Sequence, residues 1–117
     1  MEKKIIGYIG EQLVKRYLLK INYKIITTNF ICRQGEIDII AIDKEEFVFI
    51  EVKTRGSRRF GYAIDAVDKY KKEHIKKATK YFIYKNHLEN ASIRFDIIEV
   101  YFKKRKYFLN HIKNVLW

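Results

Sequence analysis

Apolar and polar positions follow two rhythms along this chain. From about Lys3 to Lys20, Ile6, Ile9, Leu13 and Tyr17 recur at three- and four-residue steps, and Val14 and Leu18 widen the stripe. That spacing predicts an amphipathic helix. Gly7 and Gly10 cost helix propensity in its first turns, in a place where a glycine lets another element approach closely. Residues 24–32, with Ile25, Ile26, Thr27, Thr28, Phe30 and Ile31, read as a strand, and Arg33-Gln34-Gly35 turns the chain. Gly35 to Arg55, GEIDIIAIDKEEFVFIEVKTR, holds two apolar runs around Asp43-Lys44-Glu45-Glu46, the signature of a hairpin. From about Ile64 to Lys85 the helical rhythm returns through Ile64, Val67, Ile75, Ala78 and Phe82. Residues 92–102 predict a further strand, Lys103 to Lys106 a basic turn, and Tyr107 to His111 a last short strand.

The hairpin carries ionic groups inside apolar strands: Asp38 in the first, Glu51 and Lys53 in the second. Such groups are costly unless paired or holding a metal. Alternation puts Glu51 and Lys53 on one face. If Lys44-Glu45 is a two-residue loop, opposed residues have numbers summing to 89, so Asp38 faces Glu51 and Glu36 faces Lys53. Opposed side chains lie about 5 Å apart. A three-residue loop would separate Asp38 from Glu51, and the turn lacks the favoured Asn-Gly or Asp-Gly. Two adjacent acids can chelate a hard cation such as Mg²⁺, with water completing the shell. A neighbouring lysine can orient or deprotonate a metal-bound water, or stabilise charge on a phosphate. The competing reading is a charge-compensated Asp–Lys–Glu cluster on an exposed face.

Charge enters next. The 117 residues fit one domain, residues 1–117, and carry 25 basic against 14 acidic groups, a formal charge of +11. That excess suits a polyanionic partner, although 18 of the bases are lysine in a chain also rich in Ile, Asn, Tyr and Phe, which an AT-rich genome would favour too. No apolar run approaches a membrane span and no signal-peptide pattern opens the chain, so no membrane partner is expected. The lone Cys32 cannot form an internal disulfide, and a reducing, cytoplasmic setting is the expectation. The three histidines lack metal-ligand spacing.

Basic residues gather near the hairpin. Thr54 to Gly61 contains Arg55, Arg58 and Arg59 with two glycines, a composition that suits either a phosphate-contacting loop or a solvated connection. Lys71 falls on the buried stripe of the second helix. Its stem can pack while the amine snorkels, or the amine can aim at the acidic patch. Lys69, Lys72, Lys76, Lys77 and Lys80 occupy other faces as a solvated surface or a phosphate-tracking ridge. Arg33 is solvated or meets a phosphate. Glu11 is a solvated helix acid, or a further ligand or substrate-positioning group.

The element order, with an acid on the second strand and Glu-x-Lys on the third, resembles the restriction-endonuclease-like fold and its PD-(D/E)xK signature. Gly7-x-x-Gly10-Glu11, Asn29, Gly35-Glu36-Ile37-Asp38, Phe49-Ile50-Glu51-Val52-Lys53-Thr54-Arg55 and Arg94-Phe95-Asp96 together resemble the YraN family of small bacterial proteins, over nearly the whole chain. That family is similar to archaeal Holliday-junction resolvases. Val14, often Ala in the family, and Ile31, often basic, depart from its pattern. The resemblance implies an α/β fold: a mixed central sheet flanked by helices, with an αβββαβ core. It implies a Mg²⁺- or Mn²⁺-dependent endonuclease acting on branched or structured DNA. Asp38, Glu51 and the Val52 carbonyl would hold the metal, Lys53 would position water, and Glu11 would complete the site. Arg33, Arg55, Arg58, Arg59 and Lys71 would engage the nucleic acid. A non-catalytic nucleic-acid-binding module is the alternative, and action on RNA and a homodimer both remain open.

Overall fold

Val14 and Leu18 have no exposed surface, and they mark the line along which the first helix meets the sheet. The computed structural model describes residues 3–55 and 69–115. Arg58, Arg59 and the expected helix positions Ile64 and Val67 lie outside the described residues. Helix α1 (Lys3–Lys20) is followed by strands β1 (Lys24–Cys32), β2 (Gly35–Asp43) and β3 (Glu46–Arg55). Helix α2 (Lys69–Lys85) leads into β4 (Ile93–Lys103) and β5 (Lys106–Ile112). Every expected element is present, with ends within two residues of expectation wherever those ends are described. The buried line of α1 runs through Val14 and Leu18, with Ile6, Ile9, Leu13 and Tyr17 only partly covered. Among the described residues no helix is long and apolar enough to cross a membrane.

Both helices stop in the same way. Asn22, at φ 68°, follows α1, and the Tyr23 amide reaches back to the Leu18 carbonyl at 2.9 Å. His87, at φ 55°, follows α2, and the Leu88 amide reaches the Ile83 carbonyl at 2.9 Å. A left-handed residue satisfies the orphan carbonyls and swings the next apolar side chain back onto the helix. Tyr23 and Leu88 accordingly pack into the cores beneath α1 and α2.

The five strands stand in chain order, antiparallel except for β3 beside β4. Two-residue turns join antiparallel neighbours, whereas a parallel pair needs a crossover, which α2 provides. Lys44, at φ 60°, opens the β2–β3 turn, and Lys104 and Arg105 both have positive φ in the β4–β5 turn. Residues other than glycine adopt that region at some cost. Ladder pairs from Ile39↔Ile50 to Asp43↔Glu46 sum to 89, the register expected for a Lys44-Glu45 loop.

Alternation divides the core. Ile39, Ala41, Val48, Ile50, Ile98 and Val100 pack with Val14 and Leu18 on the α1 face. Ile40 and Phe49 pack with Ala78 and Phe82 on the α2 face, where Ile97 meets Ile75. The sheet is therefore buried on both sides, which is why its middle strands read as near-continuous apolar runs.

One ionic knot ties the α1 face. Arg94 grips both oxygens of fully buried Asp96, at 2.9 and 3.0 Å, and reaches Asp43 at 3.1 Å and Tyr23 Oη at 2.6 Å. His111 Nε2 lies 2.7 Å from Asp96, the Asn114 amide donates to it at 3.0 Å, and Tyr17 Oη closes on His111 Nδ1 at 2.7 Å. Burial works to raise the Asp96 pKa, but His111, Arg94 and the amide outweigh it and hold it below the ordinary carboxylate value of 3.8. A depressed carboxylate contributes stability that is full above its unfolded pKa and fades as pH falls through the folded one. Asp96→Asn should therefore cost about 3 kcal/mol near neutrality. That cost should shrink as pH drops below the usual carboxylate range, as read by urea unfolding across a pH series.

Candidate metal and phosphate site

Beyond Ile39↔Ile50 no further β2–β3 pair forms, and the Asp38 side chain takes over from the ladder. Its Oδ2 accepts the Val52 amide at 2.8 Å. One step past the last pair, Asp38 and Glu51 lie close enough for each to shift the other's pKa. Asn29, opposite this point on β1, has φ 51°, so the outer hairpin is kinked at the same level. The register predicts Glu36 against Lys53, and the structure corrects that expectation. Glu36 is exposed and pairs on its β1 side with Ile31, but the β2–β3 ladder has ended before its level, so Lys53 is not opposite it.

Glu51 is 4 % exposed and walled by Ile37, Phe49, Ile50 and Ile75. Two ammonium groups approach its Oε2: Lys71 from α2 at 2.6 Å, and Lys53 from the same strand at 3.7 Å. Burial, together with the hydrogen bond to Glu51 and its negative charge, pushes Asp38 up to about 9. Burial would raise Glu51 as well, but the Asp38 proton and the Lys71 ammonium reverse that and leave it lowered. Two acids that share a site push their pKa values apart, and here Asp38 is the raised member and Glu51 the lowered one. Lys53 is lowered, first by burial and then by its contact with Lys71. For Lys71, burial is outweighed by Glu51, and its pKa is raised.

The structure brings Asp38, Glu51, Val52, Lys53 and Lys71 together. Glu11 lies nearby but is hydrogen-bonded to Asn29, and it touches the pair only through its charge. Burial is the main cause of its raised pKa. Arg33 is exposed in the β1–β2 turn, and Arg55 ends β3, partly buried beside Tyr101. Sequence reasoning missed Glu99, fully buried on β4 next to Lys53 in the parallel register. It accepts Tyr101 Oη at 2.6 Å and Asn110 Nδ2 at 2.7 Å. Its signal was an acid in an otherwise apolar strand, the same signal that singled out Asp38.

Among the described residues no group of three or more His, Cys, Asp and Glu is placed for a metal ion. The donor set is smaller: the neighbouring carboxyl groups of Asp38 and Glu51 and the Val52 carbonyl. Oxygen donors of this kind suit a hard cation such as Mg²⁺ or Mn²⁺ rather than a thiophilic one.

Two glycines fix the helices against this site. A methyl on Gly35 would come within 2.8 Å of the His74 carbonyl, so the β1–β2 turn can lie directly against α2. His74 Nδ1 caps that contact at 2.6 Å from the Gln34 carbonyl. A methyl on Gly10 would run into Thr54 Oγ1, so the turn carrying Glu11 can sit on the end of β3. Gly10→Ala should cost about 1–3 kcal/mol through overpacking. Adding Thr54→Ala should recover most of that loss in chemical denaturation, because it removes the oxygen in the way.

The profile of the "Uncharacterised protein family UPF0102" matches residues 10–100. A UPF0102 protein of Caldanaerobacter subterraneus is 42 % identical over 116 residues, covering 99 % of this chain and 95 % of that one. One from Clostridium perfringens is 46 % identical over 113 residues, covering 95 % and 93 %. One from Clostridioides difficile is 42 % identical over 114 residues, covering 97 % and 98 %. Among solved structures the chain is similar to SSO0001, with a TM-score of 0.43 and 19 % identity, covering 99 % of this chain and 54 % of that one. The coverage and identity of the three bacterial relatives leave one conclusion: the chain belongs to the UPF0102 family.

Proposed function

We propose that this protein is a Mg²⁺- or Mn²⁺-dependent nuclease of the restriction-endonuclease-like type, as the YraN resemblance implies, acting on branched or structured DNA. The observation that carries the reading is the contact between the Asp38 and Glu51 carboxyl groups beside Lys53 in one partly desolvated patch. Two acids in contact do not improve stability, since one must hold a proton to persist. A cation bound between them gives both a use.

Asp38, Glu51 and the Val52 carbonyl would hold the ion, which when bound polarises a phosphate oxygen and acidifies water. The chain's own residues do the rest. Lys53, held down by burial and by Lys71, orients the attacking water and handles its proton near the scissile phosphate. The Val52 amide fixes the Asp38 carboxyl through its 2.8 Å bond, so the ligand need not search for its rotamer. Arg33 and Arg55, with Arg58 and Arg59 in the neighbouring segment, supply cations for the flanking backbone. Glu11 lends negative charge from the rim rather than a direct contact.

The second reading is a nucleic-acid-binding module without turnover, favoured by the pairing of Glu51 with two lysines. A cleavage panel of duplex, single-stranded, flap and four-way DNA, with matched RNA, separates the two in Mg²⁺ and in EDTA. Asp38→Asn keeps the shape and removes an ionisable ligand. Metal-dependent cutting should fall by a factor on the order of 100 or more, while binding in EDTA stays at the parental level or tightens. Cutting by Asp38→Asn at the parental rate, or no cutting of any substrate by the parent, would overturn the nuclease reading.

A further inference from the structure

Helix α2 carries a second ordered face besides its buried one. Ile75, Ala78, Thr79 and Phe82 go into the core. Turned away from that core, Tyr70, His74, Lys77, Tyr81 and Tyr84 follow one another at steps of four, three, four and three. That spacing lines residues along one face of a helix. Tyr70 and Tyr84 are 74 % and 75 % exposed, and Tyr81 36 %. An AT-rich genome could supply tyrosines, but not their alignment on the side where core packing asks for no rings. Tyr70 lies against His74 with ring centroids 4.2 Å apart, and Tyr81 faces Phe30 of β1 at 6.3 Å. Lys85 stands 5.9 Å from the centre of the Tyr81 ring.

Beside the rings runs a row of charge. Lys69, Glu73, Lys76 and Lys80 repeat the same steps one position earlier. Glu73 is the only acid of α2, set against seven lysines, and Lys76 lies 4.0 Å from it. Lys69, Lys77, Lys80 and Lys85 are exposed. Exposed Arg33 joins them from the β1–β2 turn, which is held to the helix by the 2.6 Å contact of the Gln34 carbonyl with His74 Nδ1. Rings flanked by cations match a polymer with flat bases on one edge and phosphates along the other. A duplex keeps its base faces inside the stack, so only an unpaired strand can use the rings. A second copy of this chain would set lysine against lysine, which charge disfavours. From Tyr70 to Tyr84 the helix rises about 21 Å, roughly six nucleotides of a stacked strand.

We infer that the outer face of α2 is a binding track for single-stranded nucleic acid. Tyr70, Tyr81 and Tyr84 stack on bases, and Lys69, Lys77 and Lys80 meet phosphates. The track goes beyond the nuclease reading, because it needs neither metal nor turnover. Tyr70 is one residue from Lys71, whose ammonium meets Glu51 at 2.6 Å, so the track begins at the end of α2 that reaches the acidic patch. An unpaired arm of branched DNA and an RNA strand offer it the same chemistry.

Fluorescence anisotropy in EDTA tests this on the full chain, with labelled oligothymidylate, oligouridylate and a DNA hairpin duplex of equal phosphate number. Tyr70→Leu with Tyr84→Leu removes two rings that are three-quarters exposed, so the core is untouched. It should weaken single-strand binding at least about tenfold, and duplex binding far less. Tyr70→Phe with Tyr84→Phe keeps the π-faces and should stay within about threefold of the parent. Lys77→Gln with Lys80→Gln keeps the rings and should lower the single-strand salt slope by about 1.4. Whichever oligonucleotide the parent holds more tightly names the source of the strand. Single-strand affinity unchanged in the Leu pair, or lost equally in the Phe pair, would overturn the track. So would a parent dimer in sedimentation that the Leu pair dissociates while oligonucleotide affinity holds, since the rings would then be a seam between two copies. EDTA keeps the two readings apart: a lost track leaves the metal site standing, and a protein that never cuts leaves the track standing.

Discussion

Glu51 sets the terms for the rest of the structure. A carboxylate 4 % exposed in the third strand of a sheet covered on both faces can remain there only with partners delivered from several elements. Those partners come from β2 as Asp38, from β3 itself as Lys53 and from α2 as Lys71. The crossover from β3 to β4 is what lays α2 over Glu51, and Gly35 is what lets the β1–β2 turn lie against that helix. Removing any one of these placements would leave the buried Glu51 carboxylate with fewer groups to compensate it.

The α1 face holds the contrasting case. Asp96 is as deeply buried, yet its oxygens meet a guanidinium, an imidazole and a main-chain amide, and Arg94 goes on to tie in Asp43, Glu46 and Tyr23. A planar guanidinium locked in several directions is a fixed strut. The partners of Glu51 are single-point ammonium groups on flexible stems, one of them almost half exposed. The same sheet thus carries one ionic cluster held by a planar guanidinium and another held by ammonium groups on longer, flexible stems. Burial alone does not distinguish the two. The identity and freedom of the counterions does.

The elements were legible because strand and helix rhythms are uninterrupted from Lys3 to Arg55 and from Lys69 to Ile112. The Asp38–Glu51 contact was legible because a two-residue loop fixes the parity of every pair it joins. Glu36 was misplaced because the same arithmetic assumes an endless ladder, and the kink at Asn29 with the departure of β2 is a backbone event without a periodic signature. The ionic partners of Asp96 were not readable. Arg94 shares its strand, but His111 comes from β5 and the Asn114 amide from beyond it, while Tyr17 and Tyr23, which brace His111 and Arg94, come from α1 and the α1–β1 connection, and only assembly makes them neighbours. Lys71 was half legible: it broke the apolar stripe of α2, which marked it as a lysine facing inward, but the choice between phosphate and Glu51 needed the distance.

That distance also bears on how the two readings of function relate. The patch sets Glu51 between two lysines, with Asp38 raised toward its neutral form and Glu11 set back beside Asn29. Such a patch does not repel phosphate, so under the proposed reading a chain with a charge of +11 would hold a polyanion through these lysines and its other bases. Under the same reading a divalent ion held by Asp38 and Glu51 would add positive charge where that phosphate sits, so binding and cutting would draw on one patch.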